Sequence, residues 1–121
     1  MLAYVFWHRP RAGVTAADYE AALVEFHSRL AGEAVEGFHG SQVFAAEGGY
    51  VDWYYLEAAF ALDTLNVAAV GGPMEAPHGA VAALAAEMTG GLHRQIAGTW
   101  RRQLVLGPDP ERPEPGGRRV F

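Results

Sequence analysis

Residues 38–57, FHGSQVFAAEGGYVDWYYLE, constrain the fold more than any other part of the chain. Two extended stretches, 38–47 and 50–57, meet at Gly48-Gly49, a pair that readily supplies the positive φ of a tight hairpin turn. Neighbouring strand side chains point to opposite faces, so Val51, Trp53 and Tyr55 lie on one face and Tyr54 and Leu56 on the other. Large apolar groups on both faces require cover on both, which a lone hairpin cannot supply.

The remaining segments provide that cover. LAYVFWH, residues 2–8, reads as another two-faced strand. Thr15 offers a hydroxyl N-cap, and Asp18 suits the positive end of the helix dipole. Tyr19, Ala22, Leu23, Phe26 and Leu30 then repeat at helical spacing until Gly32. A short helix is expected at 62–70, closed by GGP, and a further helix at 78–89 behind Pro77, with Val81, Leu84, Ala85 and Met88 as its apolar stripe. Gly90-Gly91 ends it, and a last strand is expected at 95–106.

The resulting order, strand-helix-strand-strand-helix-strand, predicts an α+β ferredoxin-like βαββαβ domain over residues 1–106, with a four-stranded antiparallel sheet under helices on one face. The bare face, also apolar, is expected to meet the sheet of a second copy, giving a homodimer packed face to face. Residues 107–121 hold four prolines and no periodicity before Val120-Phe121, so they read as an extended C-terminal arm whose end clips onto a partner.

Composition excludes several chemistries. A length of 121 residues suits one domain, and no apolar run reaches the roughly 20 residues needed to span a bilayer. MLAYVFWHRP lacks the basic opening of a secretory signal, so a cytoplasmic protein is expected. The net charge of −5, with arginines scattered along the chain, gives no electrostatic footprint for nucleic acid. Without Cys there is no thiolate chemistry, and without Lys there is no Schiff base. Ser28 and Ser41 sit in no nucleophile-elbow motif, and no glycine pattern marks a nucleotide site. His8, His27, His39, His78 and His93 form no metal-binding pair, and Asp52 and Glu57 stand apart from them in sequence, so no metal is expected.

The candidate residues lie on helix flanks. With Tyr19 at 0°, His27 falls at about 80°, on the edge of the buried face, where a ring nitrogen can enter a helix-sheet cavity. His78 shares a face with Val81 and Ala85 near a helix start, and Asn66 is an amide able to orient a carbonyl. Trp7, Trp53, Tyr54, Tyr55 and Trp100 line one or other sheet face, as core, interface or ring-binding groups.

Arg9-Pro10, Gly13, Thr15, Asp18-Tyr19 and His27 together resemble the opening of EthD-like proteins of the dimeric α/β-barrel superfamily. Leu23 stands where that family usually carries Trp. The element order is also similar to the antibiotic-biosynthesis-monooxygenase branch. The resemblance implies a dimeric α/β barrel and a cofactor-independent enzyme acting on a small aromatic or polyketide-like compound, by oxygenation or by proton transfer beside a carbonyl. In that reading His27 or His78 is the acid or base, Asn66 and Arg9 position oxygen atoms, and Trp53 or Tyr55 holds the ring. Haem held by His27 or His78 is the alternative implied by one branch. A non-catalytic metabolite-binding module and a purely structural homodimer are the other two readings.

Overall fold

The computed structural model describes residues 1–94, 96, 97 and 118–121. In chain order these form β1 (Leu2–Pro10), α1 (Ala16–Ala31), β2 (Phe38–Ala46), β3 (Gly49–Leu56), α2 (Phe60–Val70), α3 (Glu75–Leu84), β4 (Ala85–Arg94) and β5 (Arg118–Arg119). The sheet order is β4-β1-β3-β2-β5, with every pair antiparallel. Its four long strands have the ferredoxin-like α+β arrangement, in which hydrophobic spacing and hairpin signals both agree with the final topology.

Thr15 caps α1 by accepting the Asp18 backbone N–H at 3.1 Å, and the Gly32 N–H closes the far end onto Arg29 and Leu30 carbonyls. The apolar stripe of α1 is driven inward: Tyr19, Leu23 and Leu30 are buried in one core with Val43, Leu56 and Met74. Each such side chain contributes about 1.5–3 kcal/mol by leaving water. On the opposite sheet face a smaller cluster joins Val5, Phe44 and Val51, with Ala3 and Trp53 packed against it. Trp7 on that face is 47% exposed, and the buried indole N–H of Trp53 has no acceptor among the described residues.

The last long strand differs from the expected one. Helix α3 starts at Glu75 and stops at Leu84, and residues expected to continue it to 89 instead pair with β1, from Pro10↔Ala85 to Leu2↔Arg94. The junction is fixed by the Arg11 N–H to the Leu84 carbonyl at 2.8 Å and by Arg11 Nε to the Ala85 carbonyl at 3.1 Å. Local helix propensity in AALAAEM yields to the open edge of β1, whose backbone groups need partners when its side chains are buried. Gly90 is part of this pairing and is no helix stop. A Cβ there would overlap the Tyr4 hydroxyl and crowd the Phe6 ring, so glycine lets β4 pass beneath both rings. The segment 95–106 and Trp100 fall almost wholly outside the described residues.

The chain's last residues return to the same sheet. Arg118 and Arg119 pair with Ala45 and Phe44, and the Val120 N–H bonds the Val43 carbonyl at 2.7 Å. Arg118 forms an ion pair with Glu20 of α1, while Val120 and Phe121 pack against the main core. Residues 107–117 lie outside the described set, but the end expected to reach a partner docks on its own chain.

Candidate functional site

Alternation along two neighbouring strands builds the site. On β1, Tyr4, Phe6 and His8 point toward the helices; on β3, Tyr50, Asp52 and Tyr54 do the same, with His8 opposite Tyr50 in register. Helix α1 brings Tyr19 and His27, two turns apart, onto the same layer. The outcome is a buried carboxylate between two imidazoles. His8 Nε2 lies 2.7 Å from Asp52 Oδ1, and His27 Nε2 lies 3.1 Å from Oδ2, which also accepts the Tyr54 hydroxyl at 2.9 Å.

The outer nitrogens of both imidazoles are also occupied. His8 Nδ1 is 2.6 Å from the Tyr19 hydroxyl, and His27 Nδ1 is 2.6 Å from the Ser41 hydroxyl. An ionised carboxylate only accepts, so both Nε2 atoms carry hydrogen toward Asp52, and each Nδ1 meets a hydroxyl, that of Tyr19 for His8 and that of Ser41 for His27. One pattern of protons thus satisfies the whole network. Asp52, Tyr54, His8 and His27 are all buried, and unpaired members would be costly there.

Electrostatics follow from this wiring. Burial by itself would raise the Asp52 carboxyl, but the charge and hydrogen bond of His27, joined by those of His8, hold it well below the usual carboxylate range. Burial pushes the Tyr54 phenol far above its ordinary value, and the adjacent Asp52 charge adds to the effect. Tyr19 is raised by burial first and then by Asp52 and Tyr50. Both phenols therefore keep their protons across the neutral range, Tyr54 donating to Asp52 and Tyr19 pairing with His8.

His8, Asp52 and Tyr54 form one side of a cavity of about 240 Å³ between sheet and helices. Phe6, Leu23, Phe26, Leu65 and Val81 give it apolar walls, and Asn66 and His78 lie at its rim from α2 and α3. Phe26 is 6.2 Å from His78, ring centre to ring centre, and no described residue hydrogen-bonds the His78 imidazole. His78 thus lines the same space as Asp52, which already accepts three hydrogen bonds.

The residues expected to act together divide between two sheet faces. His78 and Asn66 reach the cavity, but His27 is fully buried behind Asp52 and Tyr54, with the Phe121 ring tilted against it at 5.4 Å, and does not line it. Placing it on the edge of the buried face underestimated how far the sheet and C-terminal end cover α1. Trp53 and Tyr55 point away to the opposite sheet face, where Tyr55 donates to Gln42 at 2.8 Å. Arg9 belongs to that face too, paired with Glu87 at the surface. None of these three can hold a ring or an oxygen in the cavity.

His8, Asp52 and Tyr54 are the functional residues that spacing alone did not bring together. The available signal was an Asp in the alternating row Tyr50-Asp52-Tyr54, because a charge on a core-facing strand position requires partners. Both nitrogens of His27 are committed, so it offers no lone pair to a haem iron, and a cavity below about 300 Å³ is smaller than drug-sized sites. A haem does not fit these residues. No group of His, Asp and Glu among the described residues is arranged to hold a metal ion. No helix among them is long and apolar enough to cross a membrane.

No protein-family model matches the chain, and no curated protein matches it. A solved structure from Bacteroides fragilis NCTC 9343, a dimeric protein of unknown function with a ferredoxin-like fold, is similar with a TM-score of 0.60 at 9% identity. The match covers 78% of this chain and 95% of that one. At such identity the likeness carries the architecture and no chemistry: this chain has the ferredoxin-like α+β fold.

Proposed function

We propose that the protein is a small-molecule enzyme that moves a proton beside a carbonyl or phenolic oxygen on a compound of about one ring. The observation that carries this reading is the cavity itself, where His78, which no described residue hydrogen-bonds, faces the Tyr54-Asp52-His8 group across apolar walls. Its volume exceeds the ~150 Å³ that admits benzene to an engineered apolar cavity and falls short of sites for larger ligands.

In the proposed step, a substrate C–H bond breaks, its proton passes to a His78 nitrogen, and the electron pair moves onto the substrate oxygen. The Asn66 amide stabilises that oxygen, and His78 returns the proton to another carbon. No net oxidation occurs. Oxygenation, as the EthD-like and monooxygenase resemblance implies, would require the same carbanion to meet dioxygen. The likeness to a dimeric protein, together with exposed Trp7 and the apolar far sheet face, supports a homodimer joined through that face.

A second reading, binding without turnover, is favoured by the saturated nitrogens of His8 and His27. Deuterium exchange into a panel of single-ring ketones and phenols, followed by NMR with and without oxygen, separates the two. The enzyme reading expects exchange that His78→Ala reduces at least about 100-fold. Binding of panel members with no exchange above buffer would leave the binding module; unchanged exchange in His78→Ala would remove the proposed base.

A further inference from the structure

The described residues lining the cavity include one acidic side chain, Asp52, and no Arg, and the chain contains no Lys. From this we infer that the cavity selects uncharged single-ring ligands bearing a hydroxyl or carbonyl, and rejects carboxylates and other anions of the same size. The inference rests on the reading of this cavity as the ligand site and adds the charge class of its occupant.

Three physical facts support that choice. A carboxylate entering the cavity would lose water along walls formed by Phe6, Leu23 and Phe26, and would meet among the described lining residues no cation able to form a bidentate pair. It would also approach an existing negative charge, since Asp52 is held ionised by two imidazoles and a phenol. An ammonium would face the same loss of water, and the oxygens it needs already accept from His8, His27 and Tyr54. An uncharged hydroxyl needs no such compensation. It can accept from the Asn66 amide and donate to His78, both at the rim.

The chemistry of the selection also suits a proton-transfer site. A substrate that enters neutral and becomes negative only during reaction meets its repulsion from Asp52 after it has bound, when the Asn66 amide can donate to the new charge. An anion present from the start meets that repulsion on entry, with no step to offset it.

Benzyl alcohol, benzoate and benzylamine share a ring and one carbon and differ chiefly in charge at pH 7, so they isolate the property. Affinities are measured by ligand-detected NMR or calorimetry on the full chain. The expected result is benzyl alcohol binding at least tenfold more tightly than either charged probe. Asn66→Arg, a change at an exposed rim position, should improve benzoate binding at least fivefold and so narrow the preference for benzyl alcohol. Benzoate or benzylammonium binding as tightly as the alcohol to the unaltered protein would overturn the assignment, as would an Asn66→Arg protein that gains nothing for benzoate. Failure of all three probes to bind would overturn both this inference and the reading of the cavity as a ligand site. Selective alcohol binding without any deuterium exchange would sink only the catalytic reading and support this one.

Discussion

Tyr54→Phe is the most discriminating perturbation of the buried network because it deletes one donor and leaves the ring. The Tyr54 hydroxyl donates to Asp52 Oδ2 at 2.9 Å in a fully covered setting. A hydrogen bond to a charged acceptor contributes about 1.5–3 kcal/mol, and the retained phenyl group prevents a cavity, so a loss of about 2 kcal/mol is expected. For 121 residues, an unfolding entropy of about 2.1 cal/mol/K per residue converts this to a fall of about 8 °C in Tm. Tyr50→Phe is the internal control: its hydroxyl donates to half-buried Glu20 at 3.1 Å, and its removal should cost about 0.5–1 kcal/mol.

The pH dependence supplies an independent check on the same variant. The folded Asp52 carboxyl lies below its ordinary value of 3.8, so its stabilising effect is complete above that pH and is lost as pH falls toward the folded value. Removing one donor raises the folded value. The unfolded value is common to both proteins and cancels, so the difference between wild type and Tyr54→Phe should be full at pH 7 and shrink as pH falls from the variant's folded value toward the lower wild-type one. Urea unfolding at several pH values measures it. A Tyr54→Phe loss no larger than that of Tyr50→Phe, whose acceptor is a carboxylate nearer to water, or one that stays constant on acidification, would refute the account of a buried charged acceptor.

Further outcomes follow from the same geometry. Burial raises the Tyr19 and Tyr54 phenols, so their stabilising effect is whole below about pH 10 and disappears above it; absorbance at 295 nm should show these two ionising only as the protein unfolds in base. Gly90→Ala forces a methyl group into Tyr4 and Phe6 and should destabilise by about 1–3 kcal/mol in thermal melts. Phe121→Ala empties a half-buried position beside His27 and should cost about 2 kcal/mol in urea unfolding. Arg9→Ala breaks only an exposed pair with Glu87, so stability should change by no more than about 0.5 kcal/mol and benzyl alcohol affinity should not change.

The path from sequence to site can be traced through particular residues. The hairpin at Gly48-Gly49, the Thr15 cap and the stripe from Tyr19 to Leu30 were all legible, because each depends on neighbours within a few positions. The split of β3 into a Trp53-Tyr55 face and a Tyr54-Leu56 face was legible too, since alternation is local. Which of those faces meets the helices was not, and on that question rested the assignment of Trp53, Tyr55 and Arg9 to the ligand.

By itself the sequence determined an antiparallel α+β domain, a helix-flank His78 and Asn66, and chemistry without Cys or Lys. Tertiary structure decided the rest. Pairing with β1 turned residues 85–94 from helix into strand, because an unpaired buried backbone outweighs an alanine-rich propensity. The meeting of His8, Asp52 and His27 joins positions 44 and 25 residues apart, and no local spacing encodes it. Only the register of β1 on β3, and the angle at which α1 crosses them, brings two imidazoles to one carboxylate and leaves His78 facing it across an apolar space.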